Sequence, residues 1–119
     1  FWLRCGAAVA IQVLIDGSLP LEHRAWCRRS LGEVIGKICE GTGLSLIAGP
    51  YVESLGNTLS GIAIIGESHI AIEVDVVTGE TYATIFSCRP VPGKAVYETL
   101  RLLRLRPWRL RPVPRGGLS

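Results

Sequence analysis

The triplet Glu67-Ser68-His69 stands between two runs of mostly apolar residues, 60–66 and 70–77. Carboxylate, hydroxyl and imidazole groups are costly to place there unless they are paired, because desolvating each without a partner costs roughly 1–3 kcal/mol or more. As structure, the triplet reads as the polar turn of a hairpin. As chemistry, a hydroxyl beside a base is a candidate nucleophile. A Ser-His-acid triad would need a second histidine, and the only other one, His23, is expected on the solvent side of a helix. Two more groups stand at fixed distances. Ser60-Gly61 begins eight residues before Ser68, and Phe86-Ser87-Cys88 ends twenty residues after it. Alone, each has an ordinary structural reading: a serine at a strand start and a buried thiol.

The elements that must position these residues are legible from periodicity. Residues 7–15 form an apolar run that reads as a buried strand, closed by the turn signal Asp16-Gly17-Ser18. Pro20 opens a helical pattern to about Glu40, with Leu21, Ala25, Leu31, Val34, Ile35 and Ile38 on one side. Gly41 and Gly43 stand where a helix ends. Residues 44–48 read as a strand and 50–58 as a loop. Three further strands follow over 60–66, 70–77 and 81–87, with Thr78-Gly79-Glu80 as a tight turn. Residues 94–105 read as a second helix. A short last strand over 110–113 is confined to a sheet edge by Pro107, Pro112 and Pro114. The order β-α-β-β-β-β-α-(β) implies an α+β fold, a mostly antiparallel sheet with two helices packed on one face.

The 119 residues fit a single domain, small enough for a partner subunit to be a natural source of extra burial. No linker or repeat divides the chain. The net charge is +3, with Arg101, Arg104, Arg106, Arg109, Arg111 and Arg115 crowded near the C-terminus. That crowding reads as a solvated helix face and basic strand. Trp108 is the only aromatic among these arginines and no nucleic-acid motif accompanies it, so a nucleic-acid partner is not expected. Cys5, Cys27, Cys39 and Cys88 form no CxxC or His/Cys zinc pattern; no metal is expected, and reduced thiols suit a cytoplasmic protein. No apolar run reaches the ~20 residues of a membrane-spanning helix.

Taken together, Ser60-Gly61, Glu67-Ser68-His69 and Phe86-Ser87-Cys88 resemble the processing region of the small prokaryotic S-adenosylmethionine decarboxylases. The likeness is clear over residues 60–88 and weaker elsewhere. It implies a self-processing, pyruvoyl-dependent carboxy-lyase of polyamine biosynthesis. Ser68 would attack the carbonyl of Glu67, and after elimination and hydrolysis would become the covalent pyruvoyl group. The chain would then consist of a β chain, 1–67, and an α chain, 68–119. The group would capture an amino-acid-type substrate as a Schiff base and act as an electron sink while carbon dioxide leaves. By the same likeness Cys88 is the proton donor, Ser60 assists processing, Glu67 and His69 contact substrate, and the enzyme is a homodimer.

The chain also departs from the family's pattern. The family's second histidine, five residues after the processing serine, is Glu73 here; a glutamate buried there could still serve as a base. The Trp-Pro-Glu segment that binds the ribose is replaced by Asp75, Val76 and Val77. Ser54 replaces the phenylalanine that stacks on adenine, with Tyr51 close by as a substitute. Processing groups are retained and nucleoside-reading groups are not. Glu73, Asp75 and Glu80 would suit a cationic substrate such as arginine or ornithine. An unprocessed, inactive homologue serving as a binding or regulatory partner is the reading from another class, motivated by Glu73.

Overall fold

The computed structural model describes residues 2–3, 10–19, 28–66, 68–88, 91–102 and 104–115. Glu67, residues 21–27 with His23, and Cys5 lie outside them, as does the expected helix start at Pro20. In chain order the elements are β1 (Trp2–Leu3), β2 (Ala10–Ser18), α1 (Arg28–Thr42), β3 (Leu46–Leu55), β4 (Thr58–Ile65), β5 (Ser68–Asp75), β6 (Glu80–Ser87), β7 (Val91–Pro92), α2 (Gly93–Leu102) and β8 (Arg106–Arg115). Six strands form one antiparallel sheet in the order β3-β4-β5-β6-β2-β8, and β1 pairs with β7 alone. Apart from β1 and β7, this is the α+β order expected from the sequence.

Alternation decides the two faces of the sheet. Ile11, Val13 and Ile15 of β2, Leu59, Ala63 and Ile65 of β4, Ile70, Ile72 and Val74 of β5, and Ala83 and Ile85 of β6 are buried under the helices. From α1, Leu31, Val34, Ile35, Ile38 and Cys39 pack onto them at i, i+3, i+4 spacing, while Glu33, Lys37 and Glu40 face water. Val96 and Leu100 of α2 extend the same core. Gly61 lets α1 come this close. A Cβ there would stand 2.8 Å from Ile35 Cδ1 and 3.0 Å from Leu31 Cδ2.

Both helices end in the same way. Leu44 N–H donates to Cys39 O at 3.1 Å beyond Gly43, whose φ is 73°. Leu105 N–H donates to Leu100 O at 3.0 Å beyond Arg104, whose φ is 68°. These bonds satisfy carbonyls the last turn would otherwise orphan.

One expectation changes. Residues 50–58 are not a loop: β3 runs through Leu55, and Gly56-Asn57 alone makes the turn to β4. The glycine and proline signals mark irregularity within an edge strand. The β3–β4 register shifts between Leu46 and Tyr51, where Pro50, which has no N–H to donate, is accommodated. The other edge, β8, is longer than expected and carries its prolines where only one neighbour needs pairing. The β5–β6 turn is held by Asp75, whose Oδ1 accepts from Val77 N at 2.9 Å and Thr78 N at 3.0 Å. Among the described residues no helix is long and apolar enough to cross a membrane.

Candidate functional site

Ser68 is the first residue of β5, two residues beyond Gly66. Its backbone pairs with Ile65 on one side and the fully buried Ser87 on the other. Its Oγ lies 3.3 Å from Nδ1 of His69, within hydrogen-bonding distance. Strand alternation sends His69 to the face opposite Ile70, the face that neither described helix covers. There its ring stacks on Phe86, its register partner on β6, with centroids 5.4 Å apart and planes 3° from parallel. Ile64 of β4 flanks it on the other side. The imidazole is thus fixed by its sheet neighbours while touching the serine hydroxyl.

Cys88 follows Ser87, the backbone partner of Ser68, and so leaves β6 at the same end of the sheet; it is exposed. Cys39, by contrast, is buried beneath the sheet, as a structural thiol would be. Ser68, His69, Phe86 and Cys88 are therefore brought together by the β5–β6 pairing.

Ser60 and Glu73 stand elsewhere. They oppose each other across β4 and β5, five residues along β5 from Ser68, about 16 Å at ~3.3 Å per residue. Glu73 also faces Tyr82 on β6, and Tyr82 faces Asp16 on β2. The row ends in an ion pair, Arg109 Nη2 to Asp16 Oδ2 at 2.6 Å, with Nε donating to the same oxygen at 2.7 Å. Tyr82 Oη donates to Glu80 Oε2 at 3.0 Å. Its pKa is raised from the ordinary 10.0, first by that hydrogen bond, then by the charge of Glu80, with partial burial, Asp16 and Asp75 adding to it. Glu73, Asp75 and Glu80 thus gather around Tyr82 rather than around Ser68. Tyr51 lies on the edge strand opposite Ile62.

The uncovered face is more than a frame for these rows. Tyr51, Ile62, Ile64 and Tyr82 are 60%, 47%, 50% and 49% exposed on it, with His69, Ala71, Thr84, Phe86 and Leu14 half-buried between them. Ile62 and Ile64 are thus apolar side chains about half exposed on this face. Sequence reasoning missed Tyr82 and the role of Phe86. Position parity within β6 carried the signal, since residues 82, 84 and 86 must share the face of His69 once β5 and β6 pair. Among the described residues no group of three His, Cys, Asp or Glu side chains could hold a metal ion.

No protein-family model matches the chain, and no curated protein sequence matches it. Among solved structures it is similar to the crystal structure of the adenosylmethionine decarboxylase from Aquifex aeolicus VF5, with a TM-score of 0.72, 18% sequence identity and 94% of each chain covered. The two share a fold over nearly their whole length.

Proposed function

We propose that the chain is a self-processing, pyruvoyl-dependent decarboxylase of the S-adenosylmethionine decarboxylase type, with Ser68 as the residue that forms the pyruvoyl group. The observation that carries this reading is the placement of Ser68. It opens a core strand, its hydroxyl touches an immobilised imidazole, and Cys88 leaves the neighbouring strand at the same end. The decarboxylase fold adds to it. Scission before Ser68 would fall at the start of β5 and leave its pairing to β4 and β6 in place.

The residues suit the group their own serine would generate. A pyruvoyl group at position 68 would supply a ketone for Schiff-base formation with a substrate amine and an electron sink for loss of carbon dioxide. Cys88 stands at that end to return a proton to the substrate carbon. His69 borders the position on the open face, and substrate would approach from there.

The homodimer has a structural argument of its own. In one chain Ser60 and Glu73 are about 16 Å from Ser68 by strand rise. Two copies packed through their open faces, related by an axis lying across the strands, would bring Ser60 and Glu73 of the partner subunit to the end of β5 that carries Ser68, on the face of His69. The same contact would cover Ile62, Ile64 and Tyr82 and exclude water from Glu73. Glu73 of the partner subunit would then serve the elimination step. S-adenosylmethionine is the first substrate to test. The carboxylates of Glu73, Asp75 and Glu80 around Tyr82 favour arginine or ornithine as the second reading, because guanidinium and ammonium groups pair with carboxylates.

Intact mass decides between this reading and an inactive homologue. Two fragments, 1–67 and a C-terminal piece that a carbonyl-trapping hydrazine labels, are expected. A single unlabelled chain after prolonged incubation overturns the proposal. Decarboxylation assays with the three substrates then rank them.

A further inference from the structure

We infer that His69, rather than the residue five positions beyond Ser68, is the general base that starts self-cleavage; the inference rests on the proposed pyruvoyl reading. Its Nδ1 lies 3.3 Å from Ser68 Oγ, whereas Glu73 is on another row of the sheet, opposite Ser60. The Nε2–H tautomer leaves Nδ1 free to accept the hydroxyl proton. The parallel stack on Phe86 and the flank of Ile64 hold the ring in that position. A base must first be within hydrogen-bond reach of the proton it takes, and His69 meets this condition for Ser68.

The step balances within the chain. The Ser68 Oγ–H proton passes to His69 Nδ1, and the oxygen lone pair forms a bond to the carbonyl carbon of Glu67. Collapse of the tetrahedral adduct breaks the bond between that carbon and the Ser68 nitrogen. The nitrogen keeps the electron pair and takes the proton back from His69. An amide becomes an ester, with no atom gained or lost and no co-reactant required.

Few described charges lie beside His69 on this face. The described residues around His69 on this face are Ile64 of β4, Ala71 of β5, Thr84 and Phe86 of β6, and Gln12 of β2 beyond Phe86. Cys88 leaves β6 at the Ser68 end, and Glu73, four residues along, is the next titratable side chain on β5 itself. Glu67 and Arg89 lie outside the described residues.

The test follows cleavage of freshly unfolded and refolded full-length precursor by intact mass. His69→Asn, which keeps a polar group near the Nδ1 position but cannot act as the base, is expected to slow cleavage by about 10²-fold or more. Its thermal unfolding should match the precursor's. Added imidazole should accelerate cleavage of His69→Ala, an effect a merely structural role would not give. If His69→Asn does not fold, His69→Gln takes its place. Cleavage of these variants at the wild-type rate, while Ser68→Ala stays whole, overturns the role of His69 and leaves the pyruvoyl reading standing. A wild-type chain that never cleaves overturns both.

Discussion

Ser60 and Glu73 face each other across the β4–β5 pair on the uncovered side of the sheet, five residues from the serine they are expected to help process. The separation makes a complementation experiment decisive. Neither Ser68→Ala nor Glu73→Ala is expected to cleave as a homodimer. Co-expressed, the Ser68→Ala copy would supply an intact Glu73 to the intact Ser68 of the other. Intact mass should then show cut Glu73→Ala chains and uncut Ser68→Ala chains. Cleavage of Glu73→Ala alone at the full rate, or an uncut mixture, would show that Glu73 does not act across two copies.

The same dimer predicts the behaviour of its apolar face. Ile62 and Ile64 are about half exposed in one chain and would be buried between two. A buried, unpaired carboxylate is strongly unfavourable. Ile62→Glu with Ile64→Glu should give a folded monomer by sedimentation velocity, with the circular dichroism of the parent and cleavage lost. A double variant that remains dimeric would move the interface elsewhere.

Gly61 tests the packing that sets the site's strands in register. Any Cβ at this position meets Ile35 Cδ1 at 2.8 Å and Leu31 Cδ2 at 3.0 Å. Both partners are core side chains with almost no room to retreat, each with no measurable exposure. Overpacking of this kind costs about 1–3 kcal/mol, so Gly61→Ala should lower the urea midpoint at unchanged slope. Gly36, with nothing within 4 Å of its added Cβ, is the control; Gly36→Ala should be neutral or stabilising.

Much of this arrangement could be read from the residues. Alternating apolar positions in 60–65, 70–75 and 81–87 specify three adjacent strands and which face each side chain takes, because a one-residue slip would expose the whole core set. That parity already separates His69 from Ile70. The edge strand β3 was illegible for a physical reason: Gly49, Pro50 and Ser54 are turn formers, and they are tolerated only because one side of the strand needs no partner. Pairing register was illegible too. Spacing along the chain puts Glu73 close to Ser68, but an extended strand carries five residues about 16 Å. The stacking of His69 on Phe86 joins residues seventeen apart and appears only once β5 and β6 are aligned.

Cys88 separates the two chemistries that the chain would perform. It lies at the Ser68 end of β6 but outside the Ser68–His69 contact, so self-cleavage should not need it. Cys88→Ala is expected to yield both fragments and to bind hydrazine normally, while turnover falls by about 10²–10⁴-fold, the range for loss of a general acid. Substrate lost without a matching amine product would show protons arriving on the wrong carbon. Full turnover in the variant would assign the proton to another group.

Tyr82 offers a titration that reports on the carboxylate row without requiring activity. Its phenol is held protonated above the ordinary value of 10.0 by the bond to Glu80, by that carboxylate's charge and by Asp16 and Asp75. Below the ordinary tyrosine value both folded and unfolded chains carry the proton, and the bond's contribution to stability is present in full. As pH rises through the raised folded value, the phenolate meets the neighbouring carboxylates and that contribution is lost. The phenolate absorbance difference between the parent chain and Tyr82→Phe should therefore show a midpoint above that of free tyrosine. Glu80→Gln should bring it down, because the amide removes the charge and weakens the acceptor. A midpoint that Glu80→Gln leaves unmoved would mean that Asp16 and Asp75, not Glu80, set the electrostatics of this end of the sheet.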